Sequence, residues 1–172
     1  MRVLVASASR HGSTHDVAER VAGVLGVRGH DVHVREVVDV SSSDVDKAQA
    51  VVLGSAVYQG RWLPAALHLV RRHADLLQAR HVWLFSTGPL GEDHVAPPIA
   101  DLGEALADTG AHGHHLFGGR IRRDRLGWKE KLSADLQGLP EGDFRDLREV
   151  QAWAAHVADE LDRLGDAENP PP

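Results

Sequence analysis

The sequence predicts a doubly wound α/β domain, with a five-stranded parallel sheet sandwiched between helical layers to give three layers in all. Two observations carry this. Strand-like and helix-like patterns alternate along the chain, as in a parallel sheet built from crossover helices. The strand-like segments are short continuous apolar runs, the pattern of strands buried on both faces. The length of 172 residues with 42% hydrophobic content suits one domain with a sizeable core.

The elements follow in order. Arg2–Ala6 is a short apolar strand. Val17, Ala18, Val21, Val24 and Leu25 recur at spacings of three and four and form one face of a helix. Ser13 is its expected N-cap, with Asp16 placed as in a capping box. Asp31–Val37 alternates through Val32 and Val34 as a strand, and Ala50–Gly54 is a second buried strand. Pro64 suits a helix first turn, and Leu67, Val70, Ala74 and Leu77 supply an apolar stripe. His81–Phe85 is the fourth strand. Ile99, Leu102 and Leu106 follow Pro97-Pro98 in a helix that Gly110 should end. His114–Phe117 is a weaker fifth strand, and Leu126–Leu139 reads as an irregular extra helix. Leu147, Val150, Trp153, Ala154, Val157, Leu161 and Leu164 make the most regular helix. The domain is expected over residues 1–165, with residues 166–172 (DAENPPP) as a disordered tail.

Composition narrows the function. There is no cysteine, which excludes disulfides, thiolate metal sites and cysteine catalysis. The net charge of -6 argues against broad nucleic-acid binding. No apolar run approaches the ~18–20 residues of a membrane span. Met1-Arg2 leads straight into a strand with no signal-like segment, so a cytoplasmic location is expected.

In doubly wound sheets ligands bind beyond the carboxyl ends of the strands, where the strand order reverses. Three loops leave strand ends suggestively: Ser9–Thr14, Ser55–Trp62 and Ser86–Glu92. The first has anion chemistry. A helix start exposes unpaired N–H groups and a partial positive charge. Ser9, Ser13 and Thr14 add hydroxyl donors, Gly12 lets the backbone approach a ligand, and Arg10 and His11 add charge. A plain strand-to-helix turn with a serine cap accounts for the same residues. The loop is neither a P-loop nor a Gly-x-Gly-x-x-Gly fingerprint.

Four segments carry a resemblance. VLVASASRHGSTHDVAERV, from Val3, resembles the first strand and phosphate loop of the flavodoxin family. VVLGSAVYQGRWLPAALHLVRRHADLL and LFSTGP resemble the two ring-binding loops of one branch, the flavodoxin-type menaquinone-dependent protoporphyrinogen dehydrogenases and their uncharacterised relatives. PEGDFRDLREVQAWA is similar to that branch's C-terminal region, and the four segments span about residues 1–164 in order. The resemblance implies strand order 2-1-3-4-5 and FMN as cofactor. It places the FMN phosphate on Ser9, Arg10, His11, Gly12, Ser13 and Thr14. It brings backbone groups of Ser55, Ala56, Val57 and Gly60 to the ring's polar edge, with Ser86, Thr87, Gly88 and Pro89 opposite. Tyr58 and Trp62 are the aromatics available to stack on the ring, with packing at a strand end as the other reading. Such contacts tune a flavin that itself carries the redox chemistry.

Other features are weaker. GGRIRRDRLGWKEK (Gly118–Lys131) is basic, and Arg120, Arg122, Arg123 and Arg125 could receive an anionic substrate or an acidic membrane surface. A solvated face with scattered salt bridges is the more usual reading of such a run. His112 and His114 would share a face of an extended segment with His115 beside them, but no partner stands at a recognised metal spacing and no metal is expected. Glu92, Asp93 and His94 are placed for acid–base work, yet no catalytic residue is identified.

The reading is an FMN-binding oxidoreductase near the protoporphyrinogen dehydrogenases of haem synthesis. It would take a small-molecule substrate, such as an anionic porphyrinogen, and hand electrons to a quinone or a redox protein. Peripheral membrane contact is compatible with it; oligomeric state is not legible. A flavodoxin-type electron carrier is the alternative. A binding domain that has lost FMN is the third reading, because Ser7 stands where many relatives carry an aromatic and aromatic content is only 5%.

Overall fold

The apolar runs form strands because each alternates its side chains between two helical layers. The computed structural model describes residues 1–88, 98–121 and 142–168. The expected helix Leu126–Leu139, Pro89, Glu92, Asp93, His94, and Arg122, Arg123 and Arg125 lie outside those residues.

In β1 (Arg2–Ala8), Val3 and Val5 enter one core while Leu4, Ala6 and Ala8 enter the other. In β3 (Ala50–Tyr58), Ala50 and Val52 share the first core, and Val51 and Leu53 the second. β5 (His81–Gly88) divides Trp83 and Phe85 from Val82 and Leu84 in the same way. A two-residue period therefore turns unbroken apolar runs into two cores.

Helices complete the layers. α1 (Ser13–Val27) buries Val17, Ala18, Val21, Ala22 and Leu25 in the first core beside Val150, Ala154, Val157, Ala158 and Leu161 of α6 (Leu147–Glu168). The opposite face is covered by α2 (Ser42–Lys47), α3 (Pro64–Arg72), α4 (Ala74–Gln78) and α5 (Leu102–Thr109).

The sheet runs β2-β1-β3-β5-β6, with β2 at Asp31–Glu36 and β6 at Gly113–Gly118, and all four pairings are parallel. Short β4 (Arg61–Trp62) pairs antiparallel with β3 off this path. Counting only the parallel strands, this is the expected 2-1-3-4-5 order. β7 (Arg120–Ile121) and β8 (Gly142–Asp143) form a separate antiparallel pair.

Three local expectations are corrected. β3 continues through Ser55, Ala56, Val57 and Tyr58, because Ser55 and Ala56 still pair with β5 and Val57 and Tyr58 with β4. The stripe after Pro64 is broken at His73, whose backbone (φ -121, ψ 20) leaves the helical range and separates α3 from α4. The last helix runs to Glu168, three residues into the expected tail.

Glycine is required at one core position. A Cβ on Gly54 would lie 2.0 Å from Cζ of Phe85, its cross-strand partner. That absence lets the fully buried Phe85 ring lie across β3 and pack against Phe117 and Trp153.

Candidate functional site

The carboxyl ends of β1, β3 and β5, neighbours in the sheet, bring the residues that open all three expected loops to one edge; the third loop lies outside the described residues beyond Gly88. β1 lies between β2 and β3, so the connections from β1 and β3 depart in opposite senses, which is the switch point where doubly wound sheets bind ligands.

The first loop leaves β1 after Ala8 and enters α1 at Ser13. Gly12, not Ser13, is the N-cap; it is left-handed (φ 86), a conformation that costs glycine no steric penalty. No side chain caps the first turn. The Ser13 hydroxyl is drawn away from capping because it accepts the backbone N–H of Arg120 at 3.1 Å. Asp16 does not complete a capping box either. Its carboxylate accepts from Arg145 at 2.7 Å and pairs with Arg120 at 3.2 Å. Among the described residues no side chain takes a first-turn amide, and the helix start is of the kind an anion needs.

The hydroxyls are organised around it. Ser9 Oγ accepts the Gly12 N–H at 3.0 Å and folds the loop on itself. Ser13 Oγ, used as an acceptor, keeps its own proton to donate. Thr14 is buried, and its Oγ1 meets Thr87 Oγ1 at 2.7 Å, tying the α1 start to the end of β5. Among the described residues a Cβ at Gly12 would meet nothing within 4 Å, so the space beside that glycine is open.

The second loop is a hairpin. Val57 pairs with Trp62 and Tyr58 with Arg61, leaving Gln59 (φ 52) and Gly60 (φ 70) as a two-residue turn. Two successive positive φ values match the twist of the flanking strands. The Gly60 carbonyl accepts from Ala100 N at 2.8 Å, and Arg61 pairs with Asp101 at 2.9 Å. Half-buried Tyr58 leans on the first loop, with the Arg10 guanidinium 5.0 Å above its ring and His11 edge-on at 6.4 Å.

Several expected roles are redistributed. Trp62 is 2% exposed, and its indole N–H donates to Ser86 Oγ at 2.8 Å, so it offers no face to a ring; packing is its role. Ser55 is buried within the ladders to β1 and β5, where its hydroxyl accepts from Leu63 N and donates to Ala56 O. Ser86 is buried as well, its hydroxyl placed between Trp62 and His114. Thr87 is spent on Thr14. Val57, Tyr58 and Gly60 remain at the strand end, with Gly88 across from Val57, whose Cβ a methyl on Gly88 would approach to 3.4 Å. Ser7, at the suspected aromatic position, is fully buried in β1 between Glu36 and Gly54.

The histidine cluster is dispersed. His112 stacks on His81 and lies against Trp83, His114 meets Ser86, and His115 pairs with Glu149 at 2.9 Å. Among the described residues no group of three or more His, Asp or Glu side chains is placed to hold a metal ion. No helix among them is long and apolar enough to cross a membrane.

Sequence reasoning missed the support at the rim. Arg145, from the segment before α6, donates to both Asp16 and Asp143, and this holds the Asp143 carboxyl below its ordinary range. Phe144 backs the end of β6 so closely that a Cβ on Gly118 would lie 2.0 Å from its carbonyl oxygen. Arg145 lies 129 residues from Asp16, and no local pattern could pair them.

A family model described as a flavodoxin domain matches residues 4–136. The chain belongs to the flavodoxin-domain family. Solved structures share the fold. One is a flavodoxin from the domain Archaea, 15% identical, with a TM-score of 0.61, covering 94% of this chain and 99% of that one. Another, from Streptococcus pneumonia, is a flavodoxin 19% identical, with a TM-score of 0.65, covering 93% and 99%. The rubredoxin oxygen:oxidoreductase of Desulfovibrio gigas matches at 15% identity and TM-score 0.66, but only 36% of its length is covered, against 94% of this chain. Among curated proteins none is a significant match.

Membership of the flavodoxin-domain family indicates FMN as the cofactor. The residues fit it at the phosphate end: an uncapped helix start, a glycine with open space before it, and a Ser13 proton free to donate. At the ring end Tyr58, Val57, Gly60 and Gly88 fit, and Trp62 does not.

Proposed function

We propose that this flavodoxin domain is an FMN-dependent oxidoreductase acting on an anionic substrate, with protoporphyrinogen-type dehydrogenation linked to a quinone as the specific reaction to test. The observation that supports this reading is the anchoring of Arg120. It begins the basic run Arg120–Lys131, and its backbone N–H donates to Ser13 Oγ in the phosphate loop. Arg120 thus stands at the rim of the proposed cofactor site, paired with Asp16, and the basic sequence that would meet a substrate's carboxylates follows it in the chain.

FMN, when bound, supplies the redox chemistry by taking up a hydride equivalent and passing electrons on. The protein's share is placement and electrostatics. The α1 start and the Ser13 hydroxyl hold the phosphate, Ser9 shapes the loop around it, and the β3–β4 hairpin presents Tyr58 to the ring. Arg145 and Asp16 hold Arg120 against the loop.

A flavodoxin-type electron carrier is the second reading. It is favoured by the net charge of -6 and by the near-complete coverage of free-standing flavodoxins. The deciding experiment is anaerobic. FMN-loaded protein is mixed with a porphyrinogen, and flavin bleaching is followed at low and high salt, with a menaquinone analogue added afterwards. Salt-sensitive bleaching and quinone-driven recovery support the oxidoreductase. Bleaching only by a reduced partner protein selects the carrier.

A further inference from the structure

We propose that His114 is a positioning residue: acting through Ser86, it holds the indole of Trp62 and so fixes the β3–β4 hairpin that carries Tyr58 and Gly60. The consequence for flavin binding rests on the FMN assignment; the lock itself does not.

Three strands contribute one side chain each. Trp62 of β4 places Nε1 2.8 Å from Ser86 Oγ of β5, and Ser86 Oγ lies 2.8 Å from Nε2 of His114 in β6. Trp62 and Ser86 are 2% and 0% exposed. The order of donation follows from the chemistry of the groups. An indole N–H only donates, so the Ser86 oxygen must accept it. Were His114 Nε2–H also to donate, Ser86 would accept twice and its own buried proton would have no acceptor, an arrangement folded proteins avoid. The chain therefore runs from Trp62 N–H to Ser86 O–H to a bare His114 Nε2. His114 is neutral, with its proton on Nδ1. Burial first, and neighbouring His115 second, lower its imidazole to about 4, so it stays an acceptor at neutral pH.

The hairpin needs such a lock. Its ladder has only two residue pairs, and Gln59 holds a positive φ of 52. A two-stranded ribbon this short does not hold itself, and a non-glycine residue in that region stores strain. The tie from Arg61 to Asp101 has an arginine 67% exposed and contributes little. The Trp62–Ser86–His114 chain, with its first two members buried, is firmer than that tie.

Nitrogen-15 NMR of labelled, FMN-free protein reads the tautomer of His114 directly. The Nδ1–H form is expected, opposite to the usual preference of a free histidine side chain; the Nε2–H form would overturn the proposal. Two variants test the function. His114→Gln keeps a neutral acceptor and His114→Leu removes it. In FMN-free protein, amide exchange at residues 58–62 should speed up about tenfold in His114→Leu and stay near wild type in His114→Gln, as loss of one buried hydrogen bond implies. FMN affinity should follow the same split, about tenfold weaker in the first and within about twofold in the second. Equal effects of both variants, or no effect on hairpin exchange, would reduce His114 to a packing residue and overturn the proposal. If His114→Leu does not fold, Ser86→Ala, which removes the relay hydroxyl with little change of volume, must produce the same hairpin loosening. If wild-type protein binds no FMN, the FMN assignment fails while tautomer and exchange still decide the lock.

Discussion

Ser13 carries two duties that pull in one direction. Its oxygen is occupied by Arg120 N, and that leaves its proton for an anion. Ser13→Ala should therefore weaken FMN by about tenfold to a hundredfold, since a hydrogen bond to a charged group contributes about 1.5–3 kcal/mol. Isothermal titration gives the affinity, and thermal melting should show only a few degrees of loss. The loop was legible from sequence as a small, hydroxyl-rich turn leading into a helix start. The cap was misassigned because Ser is the commoner N-cap, and nothing local reveals that a residue 107 positions away claims its hydroxyl. Trp62 was legible only as an aromatic near a strand end. Its burial depends on Ser86, which no spacing rule links to it.

At the scale of elements, β3 and β5 are the pair on which the site rests. Gly54 makes their close packing possible, because any side chain there would overlap the Phe85 ring. Gly54→Ala should destabilise the domain by about 3 kcal/mol, the upper end of overpacking costs, measured by urea unfolding. The approach of α6 to the phosphate loop is governed by Arg145, whose side chain is 10% exposed between Asp16 and Asp143. Arg145→Met should cost about 2 kcal/mol and loosen the α1 start, seen as faster amide exchange at Ser13 and Thr14. The elements themselves were readable because two-faced burial writes apolar runs and α-helical stripes. The extension of β3 was not, since Ser55 and Ala56 carry no strand signal of their own and are held by pairing with β5.

For the whole molecule, acid is the clearest lever. Burial lowers the imidazoles of His30, His73 and His114 below their ordinary value, with the N-terminal ammonium, Arg72 and His115 adding to it respectively. The folded protein then binds fewer protons than the unfolded chain once the pH drops below about 6.5. Stability should be flat above that point and fall as the pH drops towards about 4, where His114 itself protonates. Melting temperature against pH checks this, and His114→Gln should make the slope shallower. The lowered carboxyls of Asp31, Asp44 and Asp143 add their loss only further down, through the carboxylate range.

The proposed phosphate-binding helix start at the end of β1 is the centre of the site, and comparing two ligands tests it most directly. Purified protein is titrated with FMN and, separately, with riboflavin, which has the same ring and no phosphate, while flavin fluorescence is followed. Saturable FMN binding at least about a hundredfold tighter than riboflavin is the expected result, because the phosphate is held by charge-assisted hydrogen bonds. Equal affinities, or no binding of either, would contradict it.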